Sequence, residues 1–409
     1  MKKLDVYFTS GPGAQRLVGQ LAEEKRRIYF EYDAAFLQAP LWLSPFKLPP
    51  EPGLHEHRDL AFGSLFGLFD DSLPDGWGLL LMDRHFMRQG LSIDAISPLD
   101  RLAYLGERTM GALTYHPPSR QDGLDHQVLD LHDLSREASR VIAGKCDHIL
   151  PQLLRAGGSP GGARPKVLVG LRGNEMISGE DELPDGYAAW LVKFHVGKEA
   201  LDDGRVEYAY SQMARAAGMV MPATQLFRTP GGEAFFGVTR FDRFENRRRH
   251  VHTFGNLIHA NFRVPGCDYE LLLRVTRVLT KNQVDVEAMF RQMVFNVLAH
   301  NRDDHVKNFA YILDPHGLWQ AAPAYDLTFA PGPGGEHTMT VAGEGREPGR
   351  EHMMRIADGV DITSRVASDI LEKVGVAVAD WPKFAREAEV SKGTVSKIER
   401  AIESSLKRI

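Results

Sequence analysis

Cysteine is almost absent. The 409 residues hold two, Cys146 and Cys267, which share no metal-type spacing. A disulfide framework and a zinc site are therefore not expected, and a reducing compartment is. Long apolar runs are missing too. No stretch reaches the roughly 18 residues of a membrane-spanning helix. Lys2 and Lys3 lead into no apolar segment of the signal-peptide kind. A cytoplasmic protein with no membrane partner is expected. Charge of one sign is not in excess, because 49 basic and 54 acidic side chains leave a formal charge of −5. Bulk electrostatic affinity for nucleic acid is thus excluded, though a local basic patch is not. Internal repeats are also lacking. The tetrapeptide Leu-Pro-Asp-Gly at 73–76 and 183–186 is too short to be more than turn chemistry.

What remains is ordinary globular composition, with 43% hydrophobic and 25% charged residues. At about 150 residues per domain, two or three domains are expected. The chain opens with β-formers at 5–8 and 27–32. It continues through Ser72-Leu73-Pro74-Asp75-Gly76-Trp77-Gly78 into a helical run from Leu79 to Met87, and reaches a strand at Thr109–Tyr115. Paired prolines and polar residues from Pro117 to Asp125 mark a boundary. Helical spacing follows over 127–156, then a Gly-rich stretch at 157–166 and strands at 167–171, 188–196 and 234–238, with an amphipathic helix at 205–218. Beyond 251 the signal is mostly helical, clearest at 286–299, and a Gly/Pro-rich loop occupies 330–349. This order divides the chain into a β-rich subdomain (1–118), a helical linker (119–150), a small β-containing lobe (151–250) and a helical lobe (251–409).

The sharpest chemistry lies in His300-Asn301-Arg302-Asp303-Asp304-His305-Val306-Lys307-Asn308, which begins where the 286–299 helix stops. Asp303 and Asn308 are separated by four residues, the spacing of the protein-kinase catalytic loop. There a carboxylate meets the substrate hydroxyl and an amide oxygen reaches a metal on the phosphates. One hairpin later, Asp326 stands where kinases place a second acid that chelates magnesium. Magnesium takes oxygen ligands, usually one or two from protein, and Asn308 and Asp326 would supply them. Lys193 sits in Trp190-Leu191-Val192-Lys193-Phe194-His195-Val196. Alternation puts Trp190, Val192 and Phe194 on one face and Lys193 on the other with Leu191 and His195. A lysine there calls for a counter-charge, either an ATP phosphate or a carboxylate such as Glu207 at the start of the next helix. The Gly-rich stretch lacks a Walker spacing, but it ends in Lys166 ahead of a strand, and its glycines would let backbone N–H groups approach phosphates.

This set, SPGGARPK with VKFH, VTRFDRF, NRDDHVKNF and AYDLTFA, resembles the HipA family of serine/threonine kinases, the toxins of bacterial toxin–antitoxin modules. The segments SLPDGWG and RTMGALTYHP resemble that family's N-terminal subdomain. The resemblance implies an α+β, bilobal protein-kinase-like fold with an additional N-terminal β-rich subdomain. It implies ATP and Mg2+ as cofactors, a protein substrate, and a helix-turn-helix antitoxin partner (HipB-like) through which operator DNA is mainly bound. Carried onto this chain, Asp303 is the catalytic acid, with His305 and Lys307 beside it. Asn308 and Asp326 hold the metal. Ser159, Gly161, Gly162, Lys166 and Lys193 bind the ATP phosphates, and Thr239 to Phe241 form the hinge beside adenine. Ser159 is the serine that is autophosphorylated, which silences the kinase by adding about two negative charges near the nucleotide. Thr239 departs from the acidic residue of better-known members, and Pro160 and Pro165 stiffen the Gly-rich loop.

Two rival readings compete: a small-molecule kinase using the same acid, amide and second acid, and a DNA-binding regulator on a kinase-like scaffold. The latter rests on Phe384–Glu399, whose rhythm is that of a helix-turn-helix. Ser391 would cap its second helix and Thr394, Lys397 and Arg400 would face DNA. Glu389 occupies the turn position where glycine is favoured, and a packed helical pair is the expectation.

Overall fold

The computed structural model describes residues 1–119, 128–144, 153, 162–180, 182–195, 197, 201–229 and 232–409. The architecture is α+β and divides into two compact units. The first comprises Met1–Lys198, Gly237–His259 and Ile312–Gly317, and the second Glu199–Phe236, Ala260–Tyr311 and Leu318–Ile409.

The first unit begins with an antiparallel sheet of β1 (Lys2–Gly11), β2 (Ala14–Glu24), β3 (Arg27–Tyr32), β4 (Leu54–Glu56) and β5 (Leu113–His116), in the order β4-β3-β2-β1-β5. Register pairs Leu4 with Leu21, Leu21 with Phe30 and Val6 with Tyr115, so alternate residues of neighbouring strands form one buried face. The expected strand at 109–115 starts later. Gly111 takes a left-handed φ of 73°, so 109–112 is a turn leading into β5. The helix Gly76–Arg88 follows the Leu-Pro-Asp-Gly turn and buries Trp77, Leu81, Met82 and Phe86. The helix Pro98–Leu105 starts on a capping box in which Ser97 and Asp100 satisfy each other's backbone N–H. Of the helix expected over 127–156, Leu131–Ile142 is helical; residues 145–152 and 154–156 lie outside the described residues.

A second sheet of this unit holds β6 (Lys166–Arg172), β7 (Glu175–Ser178) and β8 (Ala188–Lys193), with β6 between the other two. Trp190, Val192 and Phe194 are buried as alternation requires. His195 is buried as well, because β8 ends at Lys193 and the period of two ends with it.

The second unit is mainly helical. Its central helix, Gln283–Leu298, is capped by Asn282 and buries Met289, Phe290, Met293, Val294, Phe295 and Val297, so it is apolar around most of its circumference. Tyr269–Thr280, Asp203–Ala216 and Ser364–Ala379 accompany it. Tyr210 Oη donates to the carbonyl of Ala299 (2.6 Å), satisfying a group just past the central helix. The chain returns to this unit at Leu318, and Ala322 N–H donates to Ala310 O (2.9 Å). Among the described residues no helix is long and apolar enough to cross a membrane.

Candidate functional site

The polar loop grows directly out of the central helix. His300 turns the chain with a φ of 56° and stacks on Phe329, ring centroids 5.4 Å apart. Burial, with the Arg302 charge nearby, lowers its pKa to about 4, so the ring is neutral. Asn301 is buried and its Nδ2 donates to Asn296 Oδ1 (3.0 Å). Arg302 is buried too, its guanidinium bonded to the carbonyls of Gly335 and Arg346. Asp303 is exposed, whereas Asp304 is wholly buried. His305 Nδ1 accepts from Lys307 N–H (3.3 Å), starting the short turn Val306–Asn308. Asn308 Nδ2 donates to the carbonyl of Asp303 (2.6 Å), which closes the loop on itself. One N–H of that amide is used in this bond, and its Oδ1 is an acceptor. Phe262 packs against this loop: its ring lies 5.4 Å from that of His305 and 5.1 Å from Lys307 Nζ.

The returning chain brings the second acid to the same loop. Tyr325 Oη donates to the carbonyl of Lys307 (2.6 Å), so Asp326 and Asn308 each lie one residue beyond a direct contact. Asp326 holds a left-handed φ of 56°. Aspartate tolerates that region better than most residues, and such strain is concentrated at functional sites. Among the described residues no three or more His, Cys, Asp or Glu side chains gather to hold a metal ion. An amide and a carboxylate completed by phosphate and water would be a smaller protein set than that.

The remaining expected residues belong to the first unit, except Glu207, which is buried on the helix Asp203–Ala216 of the second. Lys166 and Lys193 face each other in register across β6 and β8, concentrating positive charge at one end of that ladder. Gly162 is left-handed (φ 88°), and a side chain there would meet Lys166 Nζ at 2.7 Å. Thr239 and Phe241 are half-buried, on either side of the buried Arg240. Ser159 and Gly161 lie outside the described residues.

Sequence reasoning missed the supports of these residues. The Leu-Pro-Asp-Gly-Trp-Gly turn docks on the end of the Gly-rich stretch: Trp77 N–H donates to Gly162 O (3.3 Å) and Trp77 Nε1 to Lys166 O (3.2 Å). Asp242 is buried and accepts from Arg240 (2.9 and 2.8 Å), Arg243 (2.7 Å) and Gly111 N–H (2.9 Å), which ties the stretch after Thr239 to the turn before β5. Alternating Arg and Asp in Thr239-Arg240-Phe241-Asp242-Arg243 was the available signal. Asp304 was passed over because its neighbour fits the kinase spacing.

The C-terminal pair of helices, Trp381–Glu387 and Lys392–Leu406, is packed into the second unit. Ser391 sits at the N-cap position, but its hydroxyl donates to Asp202 Oδ2 (2.5 Å) and makes no cap bond. Thr394, which the DNA-binding reading turns toward DNA, donates to the same carboxylate (2.6 Å), in line with the expected packed pair. Glu389 is left-handed in the turn, with a φ of 60°.

Comparison with known proteins follows this geometry. A model of the HipA N-terminal domain matches residues 10–116, and one of the HipA-like C-terminal domain matches 158–381. The curated "Putative kinase Y4dM" of Sinorhizobium fredii is 28% identical over 153 residues, 34% of this chain and 37% of that protein, so the match spans little more than a third of this relative. Among solved structures, the Shewanella oneidensis HipA, determined with HipB and its operator DNA, superposes with a TM-score of 0.73 at 18% identity. The match covers 99% of this chain and 96% of that one, and it shows a shared fold. With its C-terminal domain alone accounting for more than half of the residues, the chain belongs to the HipA family.

Proposed function

We propose that this chain is an ATP-dependent serine/threonine protein kinase acting as the toxin of a bacterial toxin–antitoxin pair. It transfers the γ-phosphate of ATP to a serine of a protein, for which a translation component such as an aminoacyl-tRNA synthetase is the acceptor the family suggests. The observation that carries this reading is the loop closed between exposed Asp303 and buried Asn308, joined one residue away to the turn bearing Asp326. Asp303 is assigned to accept the proton of a substrate hydroxyl or orient it, worth about 10²–10⁴ in rate. Asn308 Oδ1 and Asp326 form an oxygen donor set that suits magnesium. Bound there, Mg2+ would neutralise charge on the phosphates. Lys166 and Lys193 are assigned to phosphate binding, His305 and Lys307 flank the acid, and the backbone of Thr239–Phe241 is assigned to adenine. Ser159 is assigned to autophosphorylation.

The proposed partner is a helix-turn-helix antitoxin, since the Shewanella protein was solved with HipB and operator DNA. Ser391 and Thr394 donate their hydroxyls to Asp202, which disfavours direct base contact by this chain's own helix pair.

The test is expression in bacteria together with ³²P transfer from γ-labelled ATP. The wild type is expected to arrest growth and incorporate label, and Asp303→Asn to lose both by at least about a hundredfold while remaining folded. Asp326→Ala is expected to lose the rise in melting temperature that Mg-ATP gives the wild type. Growth arrest unchanged in Asp303→Asn would overturn the assignment.

A further inference from the structure

Asp303 is exposed, yet the residues on both sides of it are fixed. Thr338 holds both at once: its Oγ1 donates to the carbonyl of Arg302 (3.1 Å) and its N–H to Asp304 Oδ1 (2.8 Å). The other oxygen of Asp304 accepts from Tyr269 Oη and from His337 Nδ1, each at 2.7 Å. Tyr269 Oη in turn accepts from Asn296 Nδ2 (3.0 Å), and Asn296 Oδ1 accepts from Asn301 Nδ2 (3.0 Å). The side chains of Asn301, Asn296, Tyr269 and Asp304 thus close a ring through the peptide segment 301–304, and Asp303 is the member of that segment that points out. Burial and the Asp304 charge push the Tyr269 hydroxyl well above its ordinary pKa, so it stays a donor.

A carboxylate fully removed from water costs several kcal/mol unless donors satisfy it. Three donors from two separate segments, Tyr269 on one and the adjacent His337 and Thr338 on the other, converge on the Asp304 carboxylate. We propose that Asp304 is a positioning residue: its buried carboxylate, held by Tyr269, His337 and Thr338, fixes the backbone on which Asp303 presents its own carboxylate to the acceptor hydroxyl. The inference rests on the kinase reading and deepens it. Reaction rates depend steeply on such placement, a shift of about 1 Å costing on the order of a hundredfold.

The experiment uses the full chain as wild type, Asp303→Asn, Asp304→Asn and Thr338→Val. Mg-ATP affinity is measured by calorimetry, and ³²P transfer from γ-labelled ATP to the chain itself and to casein gives the rate at saturating ATP. In Asp304→Asn the amide nitrogen faces donors that the carboxylate accepted. The expected result is a rate lowered roughly ten- to a hundredfold, with Mg-ATP affinity within about threefold and cooperative unfolding retained. Thr338→Val removes only the hydroxyl bond to Arg302 and is expected to lower the rate about three- to tenfold. The double variant should lose less than the product of the two, as coupled residues do. A folded Asp304→Asn whose rate stays within twofold of wild type overturns the proposal, as does a loss that appears entirely in ATP affinity. If Asp304→Asn fails to fold, Thr338→Val decides by the same criteria. Absence of transfer by the wild type, or full activity of Asp303→Asn, overturns instead the kinase reading on which the proposal stands.

Discussion

Two adjacent aspartates, Asp303 and Asp304, have opposite fates, one in solvent and one in the interior. Their residue type is the same, so the difference comes from partners distant in sequence. Asp242 shows the same principle with larger energetic consequence. Burial alone would raise its pKa, but the charges of Arg240 and Arg243 outweigh burial and hold the carboxyl well below the usual carboxylate range. Removing one partner of a buried ion pair leaves the other charge uncompensated, which costs about 3–5 kcal/mol. Asp242→Ala strands the buried Arg240 guanidinium, leaves the half-buried Arg243 with only its carbonyl partners, and frees Gly111 N–H. It is expected to destabilise the chain by that amount, read as a lowered urea midpoint with an unchanged slope. A loss of stability below about 1 kcal/mol would mean that the arginines reach water. The spacing of Asp303 and Asn308 could be read directly, because a loop bond between residues five apart is local. Tyr269, Thr338 and His337 could not, because their relation to Asp304 exists only after folding.

At the scale of elements, local periodicity found what packs on one face and missed what pairing imposes. The central helix was legible because Met289, Met293 and Val297 repeat at helical spacing. The strand β2 was not legible. Its sequence, AQRLVGQLAEE, is polar and carries a mid-strand glycine, both unfavourable to a strand. Its partners β1 and β3 overrode that preference. Gly19 is required there, since a side chain would stand 2.2 Å from the carbonyl of Glu31. The β2–β3 turn is made by Lys25 and Arg26, both left-handed, and not by the Asn-Gly that usually announces such a turn. Another element, the helix Gly76–Arg88, packs its start against the segment to which nucleotide binding is assigned above. Gly76 has a φ of 44°, and a Cβ there would meet Gly162 O at 2.6 Å and Ala163 Cα at 2.7 Å, both backbone atoms. Gly76→Ala must therefore displace either the helix start or the Gly162–Lys166 segment. The expected outcome is a several-fold weaker Mg-ATP titration by calorimetry in a chain that still unfolds cooperatively. Wild-type affinity in that variant would show that the Gly-rich segment does not take part in nucleotide binding.

For the molecule as a whole, the acid side of its stability is set by histidines that folding keeps neutral. His250, His259 and His300 each have a pKa lowered to about 4, with burial as the leading cause. His259 shows the geometry behind this, since its Nε2 accepts from Gly67 N–H (3.1 Å) and must lose that bond on protonation. The unfolded chain binds protons at these rings near pH 6.5, whereas the folded chain does not until about pH 4. Between those limits the unfolded state carries more protons, so stability rises with pH and falls on acidification. The contribution is fully present above about pH 6.5 and is lost progressively toward pH 4. For the wholly buried His250 the loss at pH 5 is about 2 kcal/mol. The other two, being partly exposed, add less. Asp242 acts in a lower pH range, since its lowered pKa gives stability that persists until the pH falls below the ordinary carboxylate value. A drop between pH 7 and pH 5 therefore belongs to the histidines. The melting temperature is expected to fall by several degrees over that interval. His250→Gln keeps a donor for the carbonyl of Leu43, which His250 Nε2 now contacts at 3.0 Å, and removes the titration. Its profile should be flatter by the share His250 contributes. An equally steep fall in His250→Gln would assign the acid sensitivity to groups other than this ring.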